Sequence, residues 1–322
     1  MPILRMQPCI QNQGYGMGVA ASMAAKNNVS TRDIDIKALQ RHLVEKGSLP
    51  ENVLTDKDTF PVPRERIAEA VVKAASDYQG IKLLLAQPED ALPLLRQAYK
   101  AVGTDETQGY DRPEPPSPLP EVTEEDAVSP EEAKLVYAHI LGMMGDPTGS
   151  DTLIEAVETA KWDDGWSFKG MGQFGMSISP LDSKIIALGR TKDPEALEPI
   201  LDLASRLTPE SELSHFRAVS MALESLGDPA GAKILANLLK LPGVRGHAFT
   251  DIQKARRETP AGLDNNNVVR DRTLRELILA RALYRCGDWQ GLGEEILKEY
   301  QRDFRGHLAR HAQAVLETGA VR

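Results

Sequence analysis

The chain has 322 residues, 41% of them hydrophobic, 26% charged and only 5% aromatic, an ordinary globular composition for about two domains. Cys9 and Cys286 are the only cysteines and no run approaches about 18 apolar residues, which excludes a disulfide scaffold and a membrane span. The wealth of Ala, Leu and Glu disfavours an all-β protein. The net charge of −9 sits in one place: residues 103–132 hold ten acids and one arginine, so the rest is neutral and offers no basic surface for nucleic acid.

The head, Met1 to Ala25, has small and apolar residues after Arg5. Gln7, Pro8, Gln11, Asn12 and Gln13 interrupt any secretion signal there. From Gly14 to Ala25 glycine and alanine dominate, which suits a helix packed closely against a sheet or a ligand. A helix start at Gln13-Gly14 would offer free N–H groups and the positive end of the dipole. Ser30-Thr31-Arg32-Asp33 reads as the cap of a helix carrying Ile36, Leu39 and Leu43 and ending at Gly47. Composition divides this head, residues 1–60, from a helical region, 61–322.

Within 61–322, Ile67 to Ala101 is helical and weakly repeat-like. Residues 103–130 follow as an acidic insertion whose six prolines preclude a continuing helix. Ser129-Pro130-Glu131-Glu132 is a capping box, and Ser179-Pro180-Leu181-Asp182 is similar. From 131 onward a unit repeats. Phe216, Val219, Ala222, Leu223 and Leu226 mark one helix face, Gly227-Asp228-Pro229 turns the chain, and Ile234, Leu235, Leu238 and Leu239 mark the next. The glycine closes the first helix, the aspartate caps the second and the proline fits its first turn. The turn recurs as Gly145-Asp146-Pro147, Lys192-Asp193-Pro194 and Gly287-Asp288-Trp289, with the aspartates 47, 35 and 60 residues apart. This pattern resembles HEAT repeats, which implies an all-α stack of helical hairpins, a solenoid, closed by a last helix carrying Leu308, Ala312, Val315 and Leu316. The competing reading is an irregular helical bundle.

Chemistry is sparse. Gly170-Met171-Gly172-Gln173-Phe174-Gly175 is a literal GxGxxG, but no βαβ unit surrounds it. The connection 161–178 is aromatic instead, with Trp162, Trp166, Phe168, Met171 and Phe174. Such a loop either folds down as a cover over the core or serves as a docking surface. His307 and His311 share a helix face but lack a third ligand, so no metal site is expected. His42, His139, His215 and His247 are scattered, and Asp163-Asp164 reads as solvated. Residues 245–272 read as a surface insertion with some helix. No residue stands out as catalytic.

The stretch Arg5-Met6-Gln7 through Gln13-Gly14-Tyr15-Gly16 to Val19-Ala20-Ala21, followed by Leu39-Gln40-Arg41-His42-Leu43 and Leu49-Pro50, resembles the C-terminal end of the FAD-binding domain of FAD-dependent oxidoreductases of the two-dinucleotide-binding-fold type. The resemblance implies that Gln13, Gly14, Tyr15 and Gly16 face the flavin, and that the head is a partial remnant of that domain. Some members of that family continue into HEAT-like repeats. The family's ADP-binding GxGxxG unit is not found in this sequence. The resemblance therefore implies a C-terminal fragment that carries FAD only as part of the full protein, with an upstream FAD domain or a protein as partner. No bound flavin and no catalysis are expected of this chain alone. The alternatives are a HEAT-repeat protein-binding scaffold without chemistry, or an enzyme whose repeats form a concave active site.

Overall fold

The structure is a computed structural model that describes residues 7–57, 61–103, 128–167, 178–259 and 267–319. Every regular element among the described residues is helical. The chain divides into two compact units, 1–61 and 62–322.

The first unit has two helices, α1 (Gln7–Asn27) and α2 (Ile36–Glu45), and a 3-10 turn, Glu51–Leu54. Ala20, Leu39 and Leu43 form its small core, flanked by Val19, Met23, Ile34 and Leu49. Two local expectations are corrected here. The cap of α2 is Asp35, whose carboxylate accepts the Ala38 N–H at 2.9 Å, because it directly precedes the first helical residue. And α1 does not start at Gln13-Gly14 but runs from Gln7. Pro8 falls in the first turn, where proline is tolerated, and Cys9 to Gln13 contain no breaker. The helix therefore forms upstream and propagates through the glycines.

The second unit opens with α3 (Arg64–Asp77), α4 (Ile81–Ala86) and α5 (Pro88–Ala101). It continues as helix pairs: α6 (Pro130–Met143) with α7 (Ser150–Glu158), α8 (Pro180–Thr191) with α9 (Leu197–Ser205), and α10 (Leu213–Leu226) with α11 (Ala230–Leu239). After the short α12 (Ile252–Glu258) come α13 (Val268–Arg285), α14 (Leu292–Tyr300) and α15 (Gly306–Thr318). The first helix of each pair packs on the next, in the order α3, α6, α8, α10, α13. The second helices α7, α9 and α11 do the same. Each row buries one apolar stripe against the other, so Leu153, Ile185, Ile200, Phe216, Leu235, Leu279 and Ile296 share one core. A second core joins Ile67, Val71, Leu84 and Leu95 to Ile140 and Leu141 of α6.

The turn chemistry is as the residues imply in three of the four turns; at the fourth, Asp288 is itself left-handed and reaches on to accept the Gly293 and Glu294 N–H groups of α14. Gly145, Gly227 and Gly287 hold positive φ, and Lys192 takes the same left-handed conformation where its turn lacks a glycine. Asp146, Asp193 and Asp228 accept the N–H groups of Thr148, Glu195 and Ala230 at 3.0, 3.0 and 2.8 Å. Both capping boxes are present, at Ser129–Glu132 and Ser179–Asp182. The first-row helices come very close. A Cβ on Gly189 would lie 2.4 Å from Ala222 Cα, so α8 can meet α10 there only through a glycine.

The connection before α13 is less superficial than the sequence suggests. It carries the expected helix, α12, yet Val244, Ala248 and Phe249 are buried. Glu276, with no solvent exposure, accepts the Gly246 and His247 N–H groups, each at 2.8 Å. Asp303 accepts the Phe249 N–H at 2.8 Å and pairs with Arg305. Two buried carboxylates distant in sequence thus pin this segment down. Among the described residues no helix is long and apolar enough to cross a membrane.

Candidate functional site

A dense polar cluster lies where residues 161–167 cross the starts of α8 and α10. The connection is tied at Trp162, Asp163, Trp166 and Ser167. The Trp162 indole N–H donates to the Leu203 carbonyl at 3.2 Å. The Asp163 carboxylate accepts the Leu181 N–H at 3.1 Å, capping the first turn of α8. Trp166 and Ser214 exchange two bonds, Trp166 N–H to Ser214 Oγ at 2.8 Å and Ser214 N–H to the Trp166 carbonyl at 2.9 Å. Ser167 Oγ accepts the Leu213 N–H at 3.0 Å. Helix N-termini leave unpaired N–H groups, and this segment supplies oxygens for them.

Beneath the segment lies His215, 3% exposed, with Asp182, fully buried. His215 Nδ1 is 2.8 Å from Asp182 Oδ1, and Nε2 is 3.1 Å from the Asp163 carbonyl oxygen. Trp162 covers the imidazole with ring centres 4.3 Å apart. Gly165 passes so close that a Cβ would lie 2.6 Å from the ring. Burial would raise the Asp182 carboxyl, but hydrogen bonds from His215, the Ser179 N–H and Ser214 outweigh it and hold it below the usual range. Burial would lower His215, but Asp182, and then Asp163, outweigh it and hold the imidazole above its ordinary value. The donors and acceptors of the pair are already used.

A second buried histidine bridges α3, α6 and α8. His139 Nδ1 is 2.7 Å from the Tyr78 hydroxyl, and Nε2 is 2.9 Å from Ser183 Oγ. Burial dominates here and brings its pKa down to about 4, so the ring is neutral at pH 7. Tyr78 holds φ +64°, a left-handed conformation that a bulky residue adopts only under outside constraint, and its hydroxyl bond to His139 supplies one. The sequence does not reveal either cluster. Residues 163, 182 and 215, and 78, 139 and 183, come together only through the stacking of the helix pairs. The capping residue Asp182 was legible; its histidine partner was not.

In the first unit Gln13, Gly14, Tyr15 and Gly16 lie in the body of α1, so their N–H groups are engaged within the helix. They do not fit a helix-terminus donor site for a flavin oxygen or phosphate. Gly14 does lie on an open face, with no heavy atom within 4 Å of a Cβ placed on it or on Gly18, while Gly16 turns inward to Leu43 at 3.7 Å. The Tyr15 hydroxyl is 2.9 Å from His42 Nε2. Of the expected docking residues, Trp162 packs inward on His215, and Trp166 lies part-buried with the Arg217 guanidinium 5.9 Å from its ring centre. Phe168, Met171 and Phe174, and with them the GxGxxG, lie outside the described residues. Among the described residues no group of three metal-binding side chains forms. The Cys286 thiol, pushed up to about 12 chiefly by burial, is no nucleophile at neutral pH. Compared with family models, curated proteins and solved structures, the chain matches none.

Proposed function

We propose that this chain is the C-terminal part of an FAD-dependent oxidoreductase of the two-dinucleotide-binding-fold type. Its first unit completes the flavin domain, and its second is a HEAT-like interaction or lid domain without catalysis of its own. The observation that carries this reading is the state of α1. Ile10, Tyr15 and Met17 are 51%, 42% and 69% exposed, and Gly14 and Gly18 are open, in the same stretch whose residues resemble the end of an FAD domain. A 21-residue helix that buries so little has an apolar, small-residue side suited to close packing on a further layer.

In this reading Gln13 to Gly16 form part of a wall beside the flavin, and the absence of a Cβ at Gly14 permits close approach. FAD supplies the redox chemistry, and no step is assigned to these residues. For the second unit, the recurring left-handed turn with its capping aspartate and the two rows of packed helices support a HEAT-like solenoid. Its buried histidine clusters are closed by internal bonds, which supports a binding role over an active site.

The test is flavin absorbance of two preparations, this chain and the protein extended upstream along its reading frame. The reading expects a colourless chain and a yellow, reducible extended protein. Stoichiometric flavin on this chain alone, or no flavin on either, contradicts it. The latter result leaves a protein-binding scaffold.

A further inference from the structure

Both ring nitrogens of His215 face acceptors, an ionised carboxylate at Asp182 and a backbone carbonyl at Asp163. Neither partner can donate, and a neutral imidazole carries one N–H, so both bonds together require the imidazolium. We propose that residues 161–167 are held on α8 and α10 by a proton latch, in which the His215 imidazolium joins Asp182 to the Asp163 carbonyl and loss of one proton releases the segment.

The surroundings favour the cation in the docked state. Trp162 lies against the ring, and an aromatic face attracts positive charge. Asp182 on α8 and Asp163 on the segment both act to keep the proton. At the start of α10 and along it, the charged neighbours are the N-cap Glu212, whose Cβ lies by Gly165, and Arg217, which interacts with Asp182 and Trp166. On α13, Arg275 stacks on the adjoining Phe216 and pairs with Asp271. Lys184 on α8 acts on His139.

When one proton leaves, the remaining N–H stays with the carboxylate, since that charge-assisted bond is the stronger. The Nε2 lone pair then opposes the Asp163 carbonyl, and the contact at 3.1 Å turns repulsive. Gly165, pressed against the ring, has to move with it. The sign follows from the raised docked-state pKa. The latch's contribution is fully present below the ordinary value of 6.5 and is lost as pH rises through the docked-state pKa, the docking constant falling by at most about tenfold per pH unit.

The experiment follows the His215 ring by NMR and the amide exchange of Trp166 and Ser214 in the full chain, corrected for intrinsic rates. The latch expects a ring midpoint above 6.5 and a loss of protection over the same range, while the core amides of Leu279 and Leu283 stay protected. A ring midpoint at or below 6.5, or protection that stays flat as the ring titrates, overturns it. In His215→Gln the step disappears; a surviving step overturns the latch. If that variant does not fold, Asp182→Asn replaces it. Asn can still cap α8 and accept from the ring, so both midpoints fall together, and midpoints that separate overturn the proposal.

Discussion

His139 puts a neutral imidazole in the core at a cost that depends on pH. Its pKa is about 4 when folded against 6.5 when free, so the unfolded chain takes up the proton first as pH falls. The linkage withdraws about 3 kcal/mol of stability between pH 6.5 and about 4. His139→Gln is expected to flatten that limb of a stability–pH curve measured by urea unfolding. It flattens in part only, because burial also lowers His311. An unchanged acid limb contradicts the assignment. Gly189 is tested by bulk rather than charge. Its missing Cβ faces Ala222 backbone at 2.4 Å, so Gly189→Ala is expected to cost about 3 kcal/mol in the same assay. Gly14→Ala makes the contrast: nothing lies within 4 Å, and alanine gains up to about 1 kcal/mol of helix propensity. That change stabilises α1 in this chain. In an upstream-extended protein the proposed packing face makes the same change harmful to flavin retention.

Helices and turns follow from local residues, and this is where the sequence was most legible. Ser129, Ser179, Asp146, Asp193 and Asp228 each cap the helix or turn expected of them, because a cap is satisfied within three residues. Asp146→Ala is expected to lower stability by about 1–2 kcal/mol, through the lost Thr148 cap and the lost pair with Arg96. Arg96 remains half-exposed and solvated, so the loss is limited; a cost above about 3 kcal/mol would contradict that account. The start of α1 is not legible at Gly14, because Gln7 to Gln13 contain nothing that stops a helix and let it begin upstream of the glycines. The buried clusters at His139, His215 and Glu276 were illegible for another reason. Their partners are 24 to 61 residues apart in sequence and become neighbours only through the register of one helix pair on the next. The burial of the 245–272 segment is illegible in its own residues because the carboxylates that hold it lie on α13 and after α14.

The whole molecule joins a small unit with a bare helix to a larger unit whose polar clusters are internally closed. The functional reading rests on an open apolar surface on α1, in the stretch that resembles an FAD domain, while the described histidine clusters of the second unit are spent on holding segments in place. Amide hydrogen exchange of α1, in this chain and in the upstream-extended protein, tests the reading most directly. In this chain Gly14 to Ala25 are expected to exchange orders of magnitude faster than the amides of α10, since α1 has little tertiary packing to protect it. In the extended protein they are expected to become as protected as α10. Protection already equal to that of α10 in this chain, or no gain on extension, would contradict the account.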